Sequence, residues 1–160
     1  MVVAEELTHL TGDGRVHMVD VGDKPATVRW ARAEGLVYAR PEALEAVRAG
    51  TAAKGDVPAV TRVAAIMAAK RTAEIVPLCH PISLSGIEVT VEVRADHIRV
   101  EVLARAVGPT GVEMEALTAV SAACLTVYDM LKGLDRAMTI GPIRLLEKAG
   151  GRSGHFRREA

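Results

Sequence analysis

Two runs of strict alternation constrain this chain more than any other feature of it. Ile87, Val89, Val91 and Val93 alternate with Glu88, Thr90, Glu92 and Arg94, and Ile98, Val100 and Val102 alternate with Arg99 and Glu101. A period of two, apolar on one side and polar on the other, marks a half-buried strand. The short Ala95-Asp96 link turns the two runs into an antiparallel hairpin with one apolar face. That face needs a cover, and the rest of the sequence supplies helices. Pro41 opens a short one, Glu42 to Arg48, ended by Gly50; Asp56 is a good N-cap for another running to about Ala73, with Val60, Val63, Ala64 and Met67 as its apolar face. A long helix extends from about Val112 to Leu134. A strand within Thr27 to Arg40, interrupted at Gly35, and another around Ile143 to Lys148 complete the order β, α, α, β, β, α, β. With the first two helices taken as one connection, this is the split βαβ pattern. The expected fold is α+β, a ferredoxin-like antiparallel sheet with helices packed on one face.

The 160 residues are room for a single domain, 1–160, whose Gly- and Asp-rich ends, about 1–22 and 150–160, read as mobile. Lys plus Arg and Asp plus Glu are both 20, and aromatics are 2% of the chain. There is thus no overall field for a polyanion and no set of rings on which bases would stack, so nucleic acid is not an expected partner. The hairpin's polar face carries Glu88, Glu92 and Glu101 and no aromatic, which argues against an RNA recognition motif of the same topology. No basic region followed by an apolar run opens the chain, and no apolar stretch of about 20 residues lacks charges. No membrane partner is expected, and the expected compartment is the cytoplasm. Cys79 and Cys124 make neither a disulfide framework nor a thiolate metal site, and the five histidines show no ligand spacing. No metal is expected, which disfavours a metal-dependent purine-ring hydrolase.

Fifteen of the 20 basic residues are Arg; the five lysines are Lys24, Lys54, Lys70, Lys132 and Lys148. A chain that usually writes Arg can reserve Lys for places where a proton must move, since a guanidinium effectively keeps its own. Lys24 reads as plain surface charge. On a wheel of the long helix, Glu115, Thr118, Thr126, Asp129 and Lys132 share one polar stripe and nearly everything else is apolar. So wide an apolar surface exceeds what one side of a sheet covers, which predicts a homo-oligomer. Asp129 and Lys132 are three apart and can touch; alone, the pair is an ordinary surface ion pair. Glu115 and Asp129 are fourteen residues apart, about 21 Å along a helix, so one small-molecule site uses both only where two subunits meet. Thr110-Gly111-Val112-Glu113 fits a capping box, and the Gly108-Pro109 turn before it could equally cradle an anion. Lys54 precedes a helix N-terminus, a natural phosphate position, while Cys79-His80 sits on a Pro-bounded loop where Cys79 reads as a small core residue.

Several of these segments in order resemble one family. They are His17-Met-Val-Asp20-Val, Lys54-Gly-Asp56-Val, Ala68-Ala-Lys70-Arg-Thr72, Pro77-Leu-Cys-His80-Pro81, Gly111-Val-Glu113-Met-Glu115-Ala-Leu-Thr118, Tyr128-Asp129-Met-Leu-Lys132 and Ile140-Gly-Pro-Ile-Arg144 through Lys148-Ala-Gly-Gly. The chain is similar to the molybdenum cofactor biosynthesis protein C family, the cyclic pyranopterin monophosphate synthases. The resemblance implies a ferredoxin-like subunit in a hexamer of three dimers, with active sites at the dimer interface. It implies conversion of a GTP-derived substrate, 3′,8-cyclo-7,8-dihydroguanosine triphosphate, to cyclic pyranopterin monophosphate with release of pyrophosphate. No cofactor is implied, and Mg²⁺ assistance to the triphosphate stays open. The family's catalytic pair falls on Asp129 and Lys132, its substrate-binding positions on Leu78, Cys79, His80, Met114 and Glu115, and further site positions on Lys54, Glu113, Lys148, Asp20 and Arg29. Such chemistry shuttles protons to nitrogen and oxygen and gathers cations around phosphates, which suits Lys, Asp and His.

Overall fold

The computed structural model describes residues 12–151 and 154–159. Its axis is β1 (Thr27–Tyr38), a strand that pairs antiparallel on both sides, with β3 (His97–Gly108) and with β4 (Thr139–Ala149). β2 (Leu84–Val93) is hairpinned to β3 as the alternation predicts, with Val91 opposite Val100 and Val89 opposite Val102. The sheet order is β2-β3-β1-β4, extended by a two-residue edge strand β5 (Phe156–Arg157) beside β4. The α+β class follows from the element order and is the class found. β5 has no counterpart in the sequence reading, where the glycine-rich tail shows only as flexible composition.

Helices cover one face. α1 (Pro41–Arg48), α2 (Val57–Ala69), the single turn α3 (Thr72–Ile75) and α4 (Glu113–Leu131) are the helical layer. α4 lies across β1, β3 and β4 and packs against α2. Ala31, Ala33, Val37, Ile98, Val100, Val102 and Ala104 face it from the sheet, all with no exposed surface. At Gly35 the two layers come closest: a Cβ built there would stand 2.5 Å from Val120 Cγ1 and 2.6 Å from Cys124 Sγ. Gly35, read as a strand interruption, is instead the point where the strand admits the helix. α4 is long and apolar enough to meet the dimensions of a membrane span, but Ala116, Ala119, Val120, Ala123, Cys124 and Val127 make it the central helix of the core.

α2 reverses the expected face. Asp56 caps it by accepting from the Ala59 N–H at 2.9 Å, as predicted. Yet the residues it buries are Val57, Thr61, Ala65 and Ala69, while Val60, Val63 and Met67 are 43%, 56% and 48% exposed. Small residues at every fourth position let α2 seat closely on α4, so the bulkier row is turned outward. α1 lacks a side-chain cap of its own. Its N-terminus is tied instead to the turn after α4, where buried Asp135 accepts from the backbone N–H groups of Arg40 and Ala137, each at 2.9 Å.

On the uncovered face of the sheet, Glu34 is buried between Arg99 (2.7 Å) and Arg144 (2.8 Å), and Glu101 accepts from Arg32 and Arg99. Burial pushes the Glu34 carboxyl up, but its bonds to Arg144 and Arg99 outweigh that and hold it below its ordinary value.

Candidate active site

Two groups of polar side chains stand at opposite ends of α4. At the C-terminal end, Asp129 accepts from Lys54 Nζ at 2.6 Å and pairs with Lys132 Nζ at 2.8 Å. Lys54 reaches it from the turn between α1 and α2, where Gly55 adopts a φ of +96° that a side chain would strain. Hydrogen bonds from Lys132 and then Lys54 carry the Asp129 carboxyl down to about 2. The same bond raises Lys132, so the resting group is an ammonium held by a carboxylate, a proton donor. All three side chains are about half exposed.

At the N-terminal end lies a cleft of about 420 Å³, bordered by Leu78, Cys79 and His80 from the loop before β2 and by Glu113, Met114 and Glu115 from the first turn of α4. The helix starts without a capping box. Its N-cap is Val112, with no side-chain cap bond, so Glu113 is the first helical residue rather than the third. The Glu113 carboxylate folds back over Gly111, where a Cβ would meet its Oε2 at 1.9 Å, and faces Lys148 Nζ at 3.9 Å. A side chain at Gly111 would displace this carboxylate from its folded-back position. Glu115, placed on a polar stripe by the helical wheel, is 3% exposed, and its Oε2 has no hydrogen-bond partner among the described residues. Burial pushes its pKa up, with the Glu113 charge adding to the rise. Burial and the charge of Glu115 likewise push the Cys79 thiol up, so it is no thiolate nucleophile.

A family model of the MoaC family matches residues 18–151. The chain belongs to the MoaC family. Among the most similar curated relatives of this MoaC-family enzyme is a cyclic pyranopterin monophosphate synthase of Thermomicrobium roseum, 62% identical over 156 residues, 96% of this chain and 94% of the relative. One of Methylobacterium sp. (strain 4-46) is 59% identical over 152 residues, covering 94% and 95% of the two chains. Cyclic pyranopterin monophosphate synthase 3 of Mycobacterium tuberculosis is 56% identical over 153 residues, covering 95% and 86%.

Of the residues singled out in the sequence, this MoaC-family chain brings Lys54, Asp129 and Lys132 into one cluster and Leu78, Cys79, His80, Glu113, Met114 and Glu115 into one cleft, with Lys148 beside it. It brings neither Asp20 nor Arg29 into the cleft. Asp20 is exposed and accepts from the Gly22 N–H at 2.8 Å, forming a local turn. Arg29 donates to the carbonyls of Pro109 at 3.1 Å and Gly150 at 3.5 Å, joining the turn ahead of α4 to the end of β4. A Cβ at Gly151 would lie 1.6 Å from its Nη1, so the Gly150-Gly151 pair exists in part to admit this guanidinium. Lys24, read as plain surface charge, lines the cleft with Val19 and Val21. An aperiodic segment carries no signal of where it returns, so only its place in the folded chain shows this. Among the described residues no group of three His, Cys, Asp or Glu side chains converges as a metal site would.

Proposed function

We propose that this chain is a lyase of molybdenum cofactor biosynthesis that converts 3′,8-cyclo-7,8-dihydroguanosine triphosphate to cyclic pyranopterin monophosphate and pyrophosphate. The observation that carries this reading is the sharing of Asp129 by Lys54 and Lys132 in a chain so similar to named synthases. In this reading Lys132 is the acid. It gives a proton to a nitrogen or oxygen as the purine-derived ring opens, and Asp129 stabilises and orients its ammonium. Closing the cyclic phosphate forms a bond from a sugar-derived hydroxyl oxygen to the α-phosphorus and breaks the bond from that phosphorus to the bridging oxygen. The proton leaves the hydroxyl, and pyrophosphate departs with the bridging electrons. Lys54 faces the negative charge that builds on the departing group. Glu113 and Glu115 meet the guanine-like edge, whose paired N–H groups suit carboxylates. The two clusters are about 21 Å apart along α4, so a substrate of nucleotide size engages both only across a subunit boundary. A homo-oligomer, a hexamer of three dimers in the family's manner, is therefore part of the proposal. So is a cytoplasmic site of action, and the proposed reaction calls for no cofactor.

The test is direct turnover. Purified protein is mixed with the cyclised dihydro-GTP, and pyrophosphate and oxidised pterin fluorescence are followed beside Lys132→Ala. Product from the wild type and a loss of about 10²-fold or more in the variant is the expected result. No product from folded wild type rejects the reading.

A further inference from the structure

Lys54 meets Asp129 from 75 residues away, so α4 alone cannot place it. It is carried by the turn that follows α1, six residues beyond that helix. The turn is closed by the Thr51 N–H on the Ala46 carbonyl and the Gly55 N–H on the Ala52 carbonyl, each at 2.9 Å. Ala52 is 7% exposed, so the turn is seated on the domain and follows α1. α1 is eight residues, about 12 Å, and buries Ala43, Leu44 and Val47.

The start of α1 is fixed by a residue from the other side of the cluster. Asp135 stands three residues beyond Lys132 and six beyond Asp129, and it is 2% exposed. Its Oδ2 accepts from the Arg40 N–H and its Oδ1 from the Ala137 N–H, each at 2.9 Å, while Arg40 Nη2 donates to the Leu134 carbonyl at 2.5 Å. The turn that carries Asp135 is held in its own right. The Asp135 N–H donates to the Leu131 carbonyl and the Tyr128 hydroxyl to the Arg136 carbonyl, both at 3.1 Å. Two contacts therefore close a ring: from Asp129 along the end of α4 to Asp135, across to Arg40, along α1 to Lys54, and back to Asp129 at 2.6 Å. The Lys54–Asp129 pair is half-exposed and competes with water, whereas Asp135 is a buried carboxylate bonded to backbone N–H groups. The second kind of contact is the stronger and sets the geometry of the ring.

We infer that Asp135 is a positioning residue: it fixes the start of α1, and through α1 it holds Lys54 within reach of Asp129. The effect on turnover rests on the proposed reaction; the placement of Lys54 does not.

The experiment has one arm for each. Asp135→Asn keeps the size of the side chain but turns an amide nitrogen toward one of the two N–H groups; Asp135→Ala releases both. Each variant is acetylated under native conditions beside wild type and Asp129→Ala, and the rate at Lys54 is divided by that at exposed Lys70, both read by peptide mass spectrometry. A half-exposed pair restrains its ammonium by roughly two- to fivefold. The ratio should rise by that factor in Asp129→Ala, and by a similar one in Asp135→Asn and Asp135→Ala. The wild-type ratio in the Asp135 variants overturns the positioning. Circular dichroism identifies the folded variants, and where Asp135→Ala does not fold, Asp135→Asn decides. Turnover is then compared in a double-mutant cycle. Asp135→Asn should lower kcat by about tenfold in the wild-type background and by less than about twofold in Lys54→Ala. An equal loss in both backgrounds overturns action through Lys54, since a residue serving only the fold would weaken both alike. Absence of turnover by the wild type rejects the proposed reaction, and the acetylation ratio still decides the placement of Lys54.

Discussion

Gly35→Ala tests the close approach between the sheet and α4. The added methyl would meet Val120 Cγ1 at 2.5 Å and Cys124 Sγ at 2.6 Å, both on side chains with no exposed surface. Ordinary carbon contacts begin near 3.5 Å, so the helix must retreat by about 1 Å or both side chains must leave their rotamers. Overpacking of this kind costs about 1–3 kcal/mol. The backbone at Gly35 is not in the left-handed region, so alanine recovers roughly 0.5 kcal/mol of unfolded-state entropy and the net loss is about 0.5–2.5 kcal/mol. For a domain of this length that is a fall of roughly 1–10 °C in Tm at fixed protomer concentration. The assay is urea or thermal unfolding of wild type, Gly35→Ala, Val120→Ala and the double variant. Val120→Ala alone costs about 2 kcal/mol for its two buried methyl groups. It also removes the nearer clash, so the double variant should be more stable than the sum of the two by about 1 kcal/mol. Additive losses, or a Gly35→Ala variant within about 0.3 kcal/mol of wild type, would refute the close approach.

Three further outcomes are expected. Lys132→Arg should keep the ion pair with Asp129 and the wild-type Tm, yet lose turnover by about 10²-fold or more, because a guanidinium donates no proton; turnover within a few-fold of wild type would show that Lys132 acts by charge alone. Asp129→Asn removes the partner that raises Lys132, so the alkaline limb of the pH–rate profile should move to lower pH, which a profile from about pH 6 to 11 would detect. Glu115 has a raised folded pKa, so its contribution to stability is full below its unfolded value of about 4.3 and is lost as pH rises through the folded value. Glu115→Gln should therefore unfold at a higher temperature than wild type at pH 8 and at nearly the same temperature near pH 4; equal stability at both would mean that burial does not penalise this carboxylate.

The parts of the fold legible in the sequence were those with local periodicity. The β2–β3 hairpin showed in its alternation, the start of α2 in Asp56, and α1 in Pro41 and Gly50, since each depends on neighbours within a few residues. What was hidden depends on distant pairs. The face of α2 was misread because a hydrophobic wheel ranks Val63 above Thr61 for burial, whereas close helix packing selects the smaller residue. The capping box at Glu113 matched a pattern, but the helix begins two residues later than the box requires. Asp129 and Lys132 were legible as a pair because three residues separate them; Lys54 joins them from 75 residues away, and its own neighbours mark it only as a cation before a helix, so that the resemblance alone put it among the site positions. Lys24 gave no signal, and Asp20 and Arg29 were picked out by resemblance but stand in a turn and a staple.

The excess of Arg over Lys acquires a physical meaning once both are placed. The cations that hold backbone or buried carboxylates are arginines: Arg29 on two carbonyls, Arg40 against Asp135, Arg99 and Arg144 on Glu34, Arg32 on Glu101. A planar fork with several fixed donors suits these positions, and a permanent charge is no disadvantage there. Four of the five lysines instead stand at the two clusters on α4: Lys54 and Lys132 on Asp129, Lys148 facing Glu113, and Lys24 on the rim of the cleft. An arginine in any of these four places would bind an anion at least as firmly. It would not exchange a proton with a nitrogen or oxygen of the substrate near neutral pH, and at Lys132 that exchange is the proposed step. In the proposed reaction the division of labour between the two cations therefore separates what holds the fold from what would act on the substrate.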